Sequence, residues 1–366
     1  MEILYMILQR AINLQATDIH LANDMLPVYR VNKKLYFDES KLPLSEMLLN
    51  QILDAFFKIV PGLENEFKEK KQADFAYTYM STRFRINVSL SKGIPAFSLR
   101  VIPNGSIDID KLGIREMVEE MKKINSGLIL ITGKVNTGKS TTMNAFIQEV
   151  NKEQNKKIVT LEDPIEYEHK SDKSIIVQKE IGKELDVLTF YDGLVNLLRE
   201  DADISVIGEI RDRKTMDVAM ELAELGGIVV GTLHTRSCGE TVERILSMHD
   251  PSEQSAIKNS LSSVLKLVVS QKLVLGTDGN MVLVPEIMVV NNVIAAHMRQ
   301  ESFSIAEIED AIHSQRDSGC VSYEYSFAKL YLQGKVDIQT IRDNLSAEKL
   351  GTVKGIIATQ GGQIMM

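Results

Sequence analysis

The residues best placed to do chemistry are Gly133-Lys134-Val135-Asn136-Thr137-Gly138-Lys139-Ser140, which match the pattern G-x-x-x-x-G-K-[ST]. They follow the apolar run Leu128-Ile129-Leu130-Ile131 and open a helix-compatible segment, Ser140-Thr141-Thr142-Met143. In such a loop the glycines let backbone N–H groups converge on phosphates, and the helix N-terminus adds a favourable dipole. Lys139 has the reach and charge for the β- and γ-phosphates. Ser140 offers a hydroxyl to Mg²⁺, with Thr141 beside it. The residues therefore point to ATP or another nucleoside triphosphate held with Mg²⁺. A glycine turn that binds nothing is the competing reading, and the strand-then-helix context argues against it. The loop alone does not name the reaction, because kinases, GTPases and motors share it.

Three polar clusters follow further apolar runs: Thr160-Leu161-Glu162-Asp163-Pro164-Ile165-Glu166, Val206-Ile207-Gly208-Glu209-Ile210-Arg211-Asp212 and Gly231-Thr232-Leu233-His234-Thr235. An open parallel sheet binds its ligand at the strand ends, so each cluster is expected beside the phosphate loop. Hydrolysis needs one carboxylate near Mg²⁺ and a second group to orient or deprotonate water. Glu209 ends its strand as a metal-side acid does, and Glu162 is the candidate for the water. The two roles could exchange, and a solvated strand end or a turn cap is the plain alternative for each. His234 reads either as a γ-phosphate sensor or as a satisfied structural histidine. Stabilisers of γ-phosphate charge are sought among Arg83, Arg85, Arg100, Arg199 and Arg211.

The elements that must position these residues are α/β in pattern. The runs 128–131, 158–161, 204–207 and 228–230 are apolar throughout, as expected of parallel strands buried on both faces. Before them lies an α+β segment, residues 1–103, with alternating strands at 83–88 and 96–101 and a helix over 44–57. The turn-rich Pro103-Asn104-Gly105-Ser106 marks a boundary, with a linker over 104–113 and an ATPase domain over 114–366. From about Pro251 onward the pattern is mostly helical with one hairpin, 272–275 against 281–284. Gly361-Gly362 suggests fraying near the C-terminus.

Composition narrows the class. A chain of 366 residues exceeds what one hydrophobic core usually serves, which favours two domains. The net charge of -8 argues against a surface devoted to nucleic acid, because phosphate neutralisation needs clustered Lys and Arg. Cys238 and Cys320 are too far apart for metal-type spacing, and a reducing cytoplasm fits them. The N-terminus lacks a basic segment ahead of an apolar one, and no apolar run reaches membrane length, so neither secretion nor membrane insertion is expected.

Taken in order, the motifs resemble those of the secretion ATPases that drive type II and type IV secretion and type IV pili. Ala16-Thr17-Asp18-Ile19-His20-Leu21 resembles that family's N-terminal signature, the cluster at Glu162 its Asp box, the cluster at Glu209 its Walker B segment and the cluster at His234 its His box. The short N-terminal region and the lack of a four-cysteine insert are similar to the pilus retraction subgroup. Pro285-Glu286-Ile287-Met288 and Gly319-Cys320-Val321-Ser322-Tyr323 resemble that subgroup's tail landmarks. The resemblance implies a PAS-like N-terminal domain and a RecA-like core with a helical C-terminal part. It further implies a cytoplasmic homohexamer, peripheral at the inner membrane, with ATP at subunit interfaces and an inner-membrane platform protein as partner.

Some positions depart from the family pattern. The loop interior is Lys134-Val135-Asn136-Thr137 where the family usually has Pro-Thr-Gly-Ser, which predicts a slowed or retuned hydrolysis. The family's Ala-Ile-Arg motif is present only as Val293-Ile294-Ala295-Ala296-His297-Met298-Arg299, and Ala202 stands where proline is usual. Rival readings are a nucleotide-binding accessory subunit of a pilus machine, an assembly or type II secretion motor, and a DNA-translocating motor.

Overall fold

The computed structural model describes residues 2–31, 34–102, 106–182 and 185–361. Pro103-Asn104-Gly105, expected to open the linker, lies outside the described residues, as does Gly362. The chain forms two compact units. One comprises Met1–Ser106, Leu161–Lys170 and Gln178–Gly193, and the other Ile107–Thr160, Ser171–Val177 and Leu194–Met366. A single cut in the sequence does not separate them, because two stretches beyond residue 160 fold with the N-terminal part.

The first unit is built on a six-stranded sheet. Its strands are β1 (Asp18–Leu21), β2 (Val28–Val31), β3 (Lys34–Phe37), β4 (Gln72–Tyr79), β5 (Thr82–Ser91) and β6 (Ile94–Ile102). They run in the order β3-β2-β1-β6-β5-β4, with antiparallel neighbours throughout. On β5 the residues Thr82, Phe84, Ile86 and Val88 are buried and those between them are less so, the period-two pattern of a half-buried strand. The expected helix occupies Glu46–Ile59, where the Ser45 side chain accepts from Leu48 N–H and sets the start. Its Phe56 packs edge-on against Phe75 and Tyr77, with ring centroids 4.9 and 5.4 Å away. A helix at Glu2–Asn13, absent from the sequence reading, buries Leu4, Ile7, Leu8 and Ala11 in the same core.

The other sheet, most of whose residues lie in the second unit, has seven strands: β7 (Gly127–Gly133), β8 (Lys157–Glu162), β9 (Ile175–Glu180), β10 (Ile204–Ile207), β11 (Ile228–Leu233), β12 (Leu265–Leu275) and β13 (Met281–Val289). The order is β13-β12-β7-β11-β10-β8-β9. β7, β10 and β11 are buried along their whole length and pair in parallel, as their continuous apolar runs require. The C-terminal hairpin is much longer than 272–275 against 281–284. β12 starts at Leu265 and pairs in parallel with β7, so the hairpin extends the main sheet. The cause is the run Leu267-Val268-Val269, fully buried and needing cover on both faces. Helices Tyr323–Leu332 and Ala347–Thr359 pack on the far end of this hairpin around Val274, Val284, Tyr323 and Phe327. Among the described residues no helix is long and apolar enough to cross a membrane.

Candidate functional site

The phosphate-loop motif folds as a strand end, a tight turn and a helix start, with β7 ending at Gly133 and a helix running over Lys139–Glu153. At Gly133 the backbone has φ +149°, and a Cβ would sit 2.4 Å from Thr137 Oγ1 and 2.6 Å from the Gln271 carbonyl. No side chain fits there. Asn136, where the family usually has glycine, holds φ +64°, a left-handed conformation that Asn tolerates better than most residues. The bulkier interior is thus accommodated in the backbone shape. Thr137 Oγ1 donates to the Lys134 carbonyl at 2.9 Å and closes the turn. Lys134 and Val135 are exposed, and Ser140 and Thr141 lie half-buried in the first helical turn.

Lys139 is 8% exposed and all its donor capacity is directed. Its ammonium donates to the Gly133 and Lys134 carbonyls, each at 2.9 Å, and lies 3.2 Å from His234 Nδ1. An ammonium has three donors and no acceptor, so Nδ1 is the accepting nitrogen and the ring hydrogen sits on Nε2. That Nε2 is 2.9 Å from Glu209 Oε1, while Arg211 donates to Glu209 Oε2 at 2.7 Å. Four residues read separately from three motifs thereby form one chain: Lys139, His234, Glu209, Arg211. The sheet order explains it, because β11 lies beside β7 and β10 beside β11. Thr232 tightens the junction, its hydroxyl donating to the Gly208 carbonyl at 2.5 Å and its carbonyl accepting from Ile210 N–H at 2.9 Å.

The electrostatics follow from burial. Burial lowers the Lys139 ammonium from its ordinary value, with the Glu209 charge opposing. Burial raises the Glu209 carboxyl, but Arg211, His234 and Lys139 more than offset it, and the group ends below its ordinary value. Glu209 is therefore ionised at neutral pH.

Gln271 and Thr142 were not singled out in the sequence. Gln271 on β12 faces the motif's helix and donates to Thr142 Oγ1 at 2.6 Å, while its Oε1 is buried with no hydrogen-bond partner among the described residues. Only the parallel pairing of β12 with β7 brings it there.

Glu162, Arg83 and Arg85 belong to the first unit. Glu162 is 3% exposed at the end of β8 and accepts from Gln178 Nε2 at 3.1 Å. Arg83 donates to the Ile165 carbonyl and to Glu168 Oε1, both at 2.6 Å, and lies 3.4 Å from Glu180 Oε2. Arg85 pairs with Glu166 at 3.2 Å. Burial raises the Glu180 carboxyl, with Arg83 opposing. Two arginines sought as phosphate stabilisers thus grip the acidic segment that follows Glu162. Arg100 faces Asp18 at 3.4 Å, and Arg199 is exposed beyond the helix Phe190–Leu197.

Comparison with known proteins agrees with these features. The family model for type II/IV secretion system protein matches residues 1–302. The type IV pilus retraction ATPase PilT of Pseudomonas aeruginosa is 30% identical over 331 residues, covering 90% of this chain and 94% of that protein. A twitching motility protein of Neisseria gonorrhoeae is 30% identical over 84% of this chain and 82% of its own length. The crystal structure of the pilus retraction motor PilT with bound ADP superposes with a TM-score of 0.84 at 32% identity, covering 95% of this chain and 98% of that one. The chain belongs to the type II/IV secretion system protein family, and it is an ATPase of that family.

Proposed function

We propose that this chain is the ATP-hydrolysing motor of a type IV pilus machine and drives pilus retraction. The single observation that carries hydrolysis is the Lys139-His234-Glu209 chain, which places a cation, an imidazole and an ionised carboxylate at neighbouring strand ends. Similarity to PilT and to a twitching motility protein over most of each chain supports the mechanical role. The same resemblance supports a PAS-like domain over 1–103, a linker over 104–113 and a RecA-like ATPase domain over 114–366. It also supports a homohexamer at the cytoplasmic face of the inner membrane, working on a platform protein.

Lys139 exchanges its two loop carbonyls for β- and γ-phosphate oxygens, and the loop N–H groups and helix N-terminus complete the cradle. The hydroxyl of Ser140 and the carboxylate of Glu209 are hard oxygen donors that would hold Mg²⁺, and the ion would supply charge neutralisation to the phosphates. His234 reports the γ-phosphate to Glu209. Arg211 holds Glu209 ionised, and Arg83 and Arg85 fix the segment that carries Glu162. Steady-state hydrolysis by purified Glu209→Gln tests the assignment. ATP binding is expected to survive while turnover falls by about 10²-fold or more; undiminished turnover contradicts it.

A further inference from the structure

Two tail segments that the mechanism leaves unused meet in the second unit. Ile287 and Val321 exchange backbone N–H···O bonds at 2.8 Å in both directions, which sets Glu286 and Tyr323 on either side of this bridge. Both side chains are almost fully buried, at 3% and 2% exposure. Each ends on the backbone just beyond His234. Glu286 Oε2 accepts from Cys238 N–H at 2.6 Å, and the Tyr323 hydroxyl lies 3.2 Å from the Arg236 carbonyl and 2.9 Å from Ser270 Oγ. The hydroxyl is placed to donate to both, its one hydrogen shared between the Arg236 carbonyl and Ser270 Oγ.

His234 directly follows β11. Its side chain is 41% exposed, it sits past the end of β11, and its imidazole orientation depends on the backbone that follows and on its two hydrogen bonds. Other ties hold the segment as well: Thr235 Oγ1 lies 2.7 Å from Thr241 Oγ1, Thr241 Oγ1 donates to Thr132 Oγ1 at 3.4 Å, and Cys238 Sγ donates to the Val268 carbonyl at 3.5 Å. Glu286 and Tyr323 reach it from outside, from the hairpin strand β13 and the helix Tyr323–Leu332. The ring of Tyr323 is fixed in turn by Lys272 Nζ, 3.7 Å above its centroid.

We propose that Tyr323 and Glu286 are positioning residues for His234. By clamping the Arg236 carbonyl and the Cys238 N–H, they set where the imidazole stands between Lys139 and Glu209, and they make turnover answer to the C-terminal helices. The inference rests on the catalytic reading of His234 given above. It predicts a specific dependence: the clamp matters only through the histidine.

The test compares His234→Ala, Tyr323→Phe and the double variant in the full chain, with kcat and KM for ATP, the Kd of a fluorescent ADP analogue, and thermal unfolding. Tyr323→Phe removes one hydroxyl and is expected to lower kcat about tenfold with Kd within about twofold, since small misplacements of a reacting group act on the chemical step. In the His234→Ala background the same change is expected to cost less than about twofold, because coupled sites are non-additive. Glu286→Met is expected to mimic Tyr323→Phe, and Glu286→Gln, whose amide oxygen still accepts from Cys238, to restore kcat. An unchanged kcat in Tyr323→Phe, or an equal loss with and without His234, overturns the clamp. An unchanged kcat in His234→Ala refutes the reading of the histidine itself, and the clamp with it.

Discussion

Lys139 and His234 lie 95 positions apart in sequence and are joined by a hydrogen bond of 3.2 Å from Nζ to Nδ1. The imidazole passes the contact on to Glu209 through Nε2 at 2.9 Å. The three side chains are thereby linked directly, without an intervening backbone group. His234→Ala breaks this connection while leaving Lys139 its two loop carbonyls. Turnover is expected to fall by about 10²-fold with ADP affinity little changed, read from steady-state hydrolysis beside equilibrium binding.

The backbone of the phosphate loop makes a second prediction. Asn136 occupies a left-handed conformation, so Asn136→Val is expected to cost about 1–2 kcal/mol. Gly133→Ala is expected to abolish nucleotide binding, because its Cβ has no room beside Thr137 and Gln271. Denaturant unfolding and a binding titration separate the two effects.

Arg83 and Arg85 differ in exposure, their side chains being 16% and 39% accessible. Arg83→Ala removes the donor of the Ile165 carbonyl and leaves the partly buried Glu180 with the Ile165 N–H alone of these two partners, at an expected cost of about 1.5–3 kcal/mol. Arg85→Ala breaks a more exposed pair and is expected to cost less than about 1 kcal/mol. Thermal unfolding ranks them, and an Arg85 effect as large as that of Arg83 contradicts the grip assigned to Arg83.

Glu286 makes stability depend on pH. Burial pushes its carboxyl up to about 7, with Cys238 and Lys349 opposing and Glu309 adding to the rise. The folded form thus binds a proton more tightly than the unfolded chain, whose carboxyl titrates near 4.5. Stability is full below that unfolded value and is lost as pH rises toward 7, by up to about 3 kcal/mol. Glu286→Gln is expected to remove this slope, measured as the denaturation midpoint between pH 4.5 and 8.

Much of the site was legible before folding was considered. The phosphate loop is contiguous, so one short window contains its glycines, lysine and serine with their strand and helix flanks. The buried parallel strands announce themselves because burial on both faces demands unbroken apolar runs. The helix Glu2–Asn13 was equally readable from Leu4, Ile7, Leu8 and Ala11 at helical spacing and was missed. The length of β12 was hidden because Leu267-Val268-Val269 suits a buried helix as well as a strand.

Residue types alone determined that this chain has a phosphate cradle, strand-end carboxylates and a histidine suited to work with them. They also carried the family's ordered motifs. Which of these groups meet was decided only by the tertiary structure. Chain order puts β8 directly after β7, but the sheet places β11 and then β10 beside β7, so His234 and Glu209 reach Lys139 in succession. Likewise Arg83 and Arg85 look like free cations until β5 presents them to the carboxylates of a segment some 80 residues away. The reason is physical: strand order is chosen by the helices that cross between strands and by the apolar area they bury, a property of the whole chain rather than of any window in it.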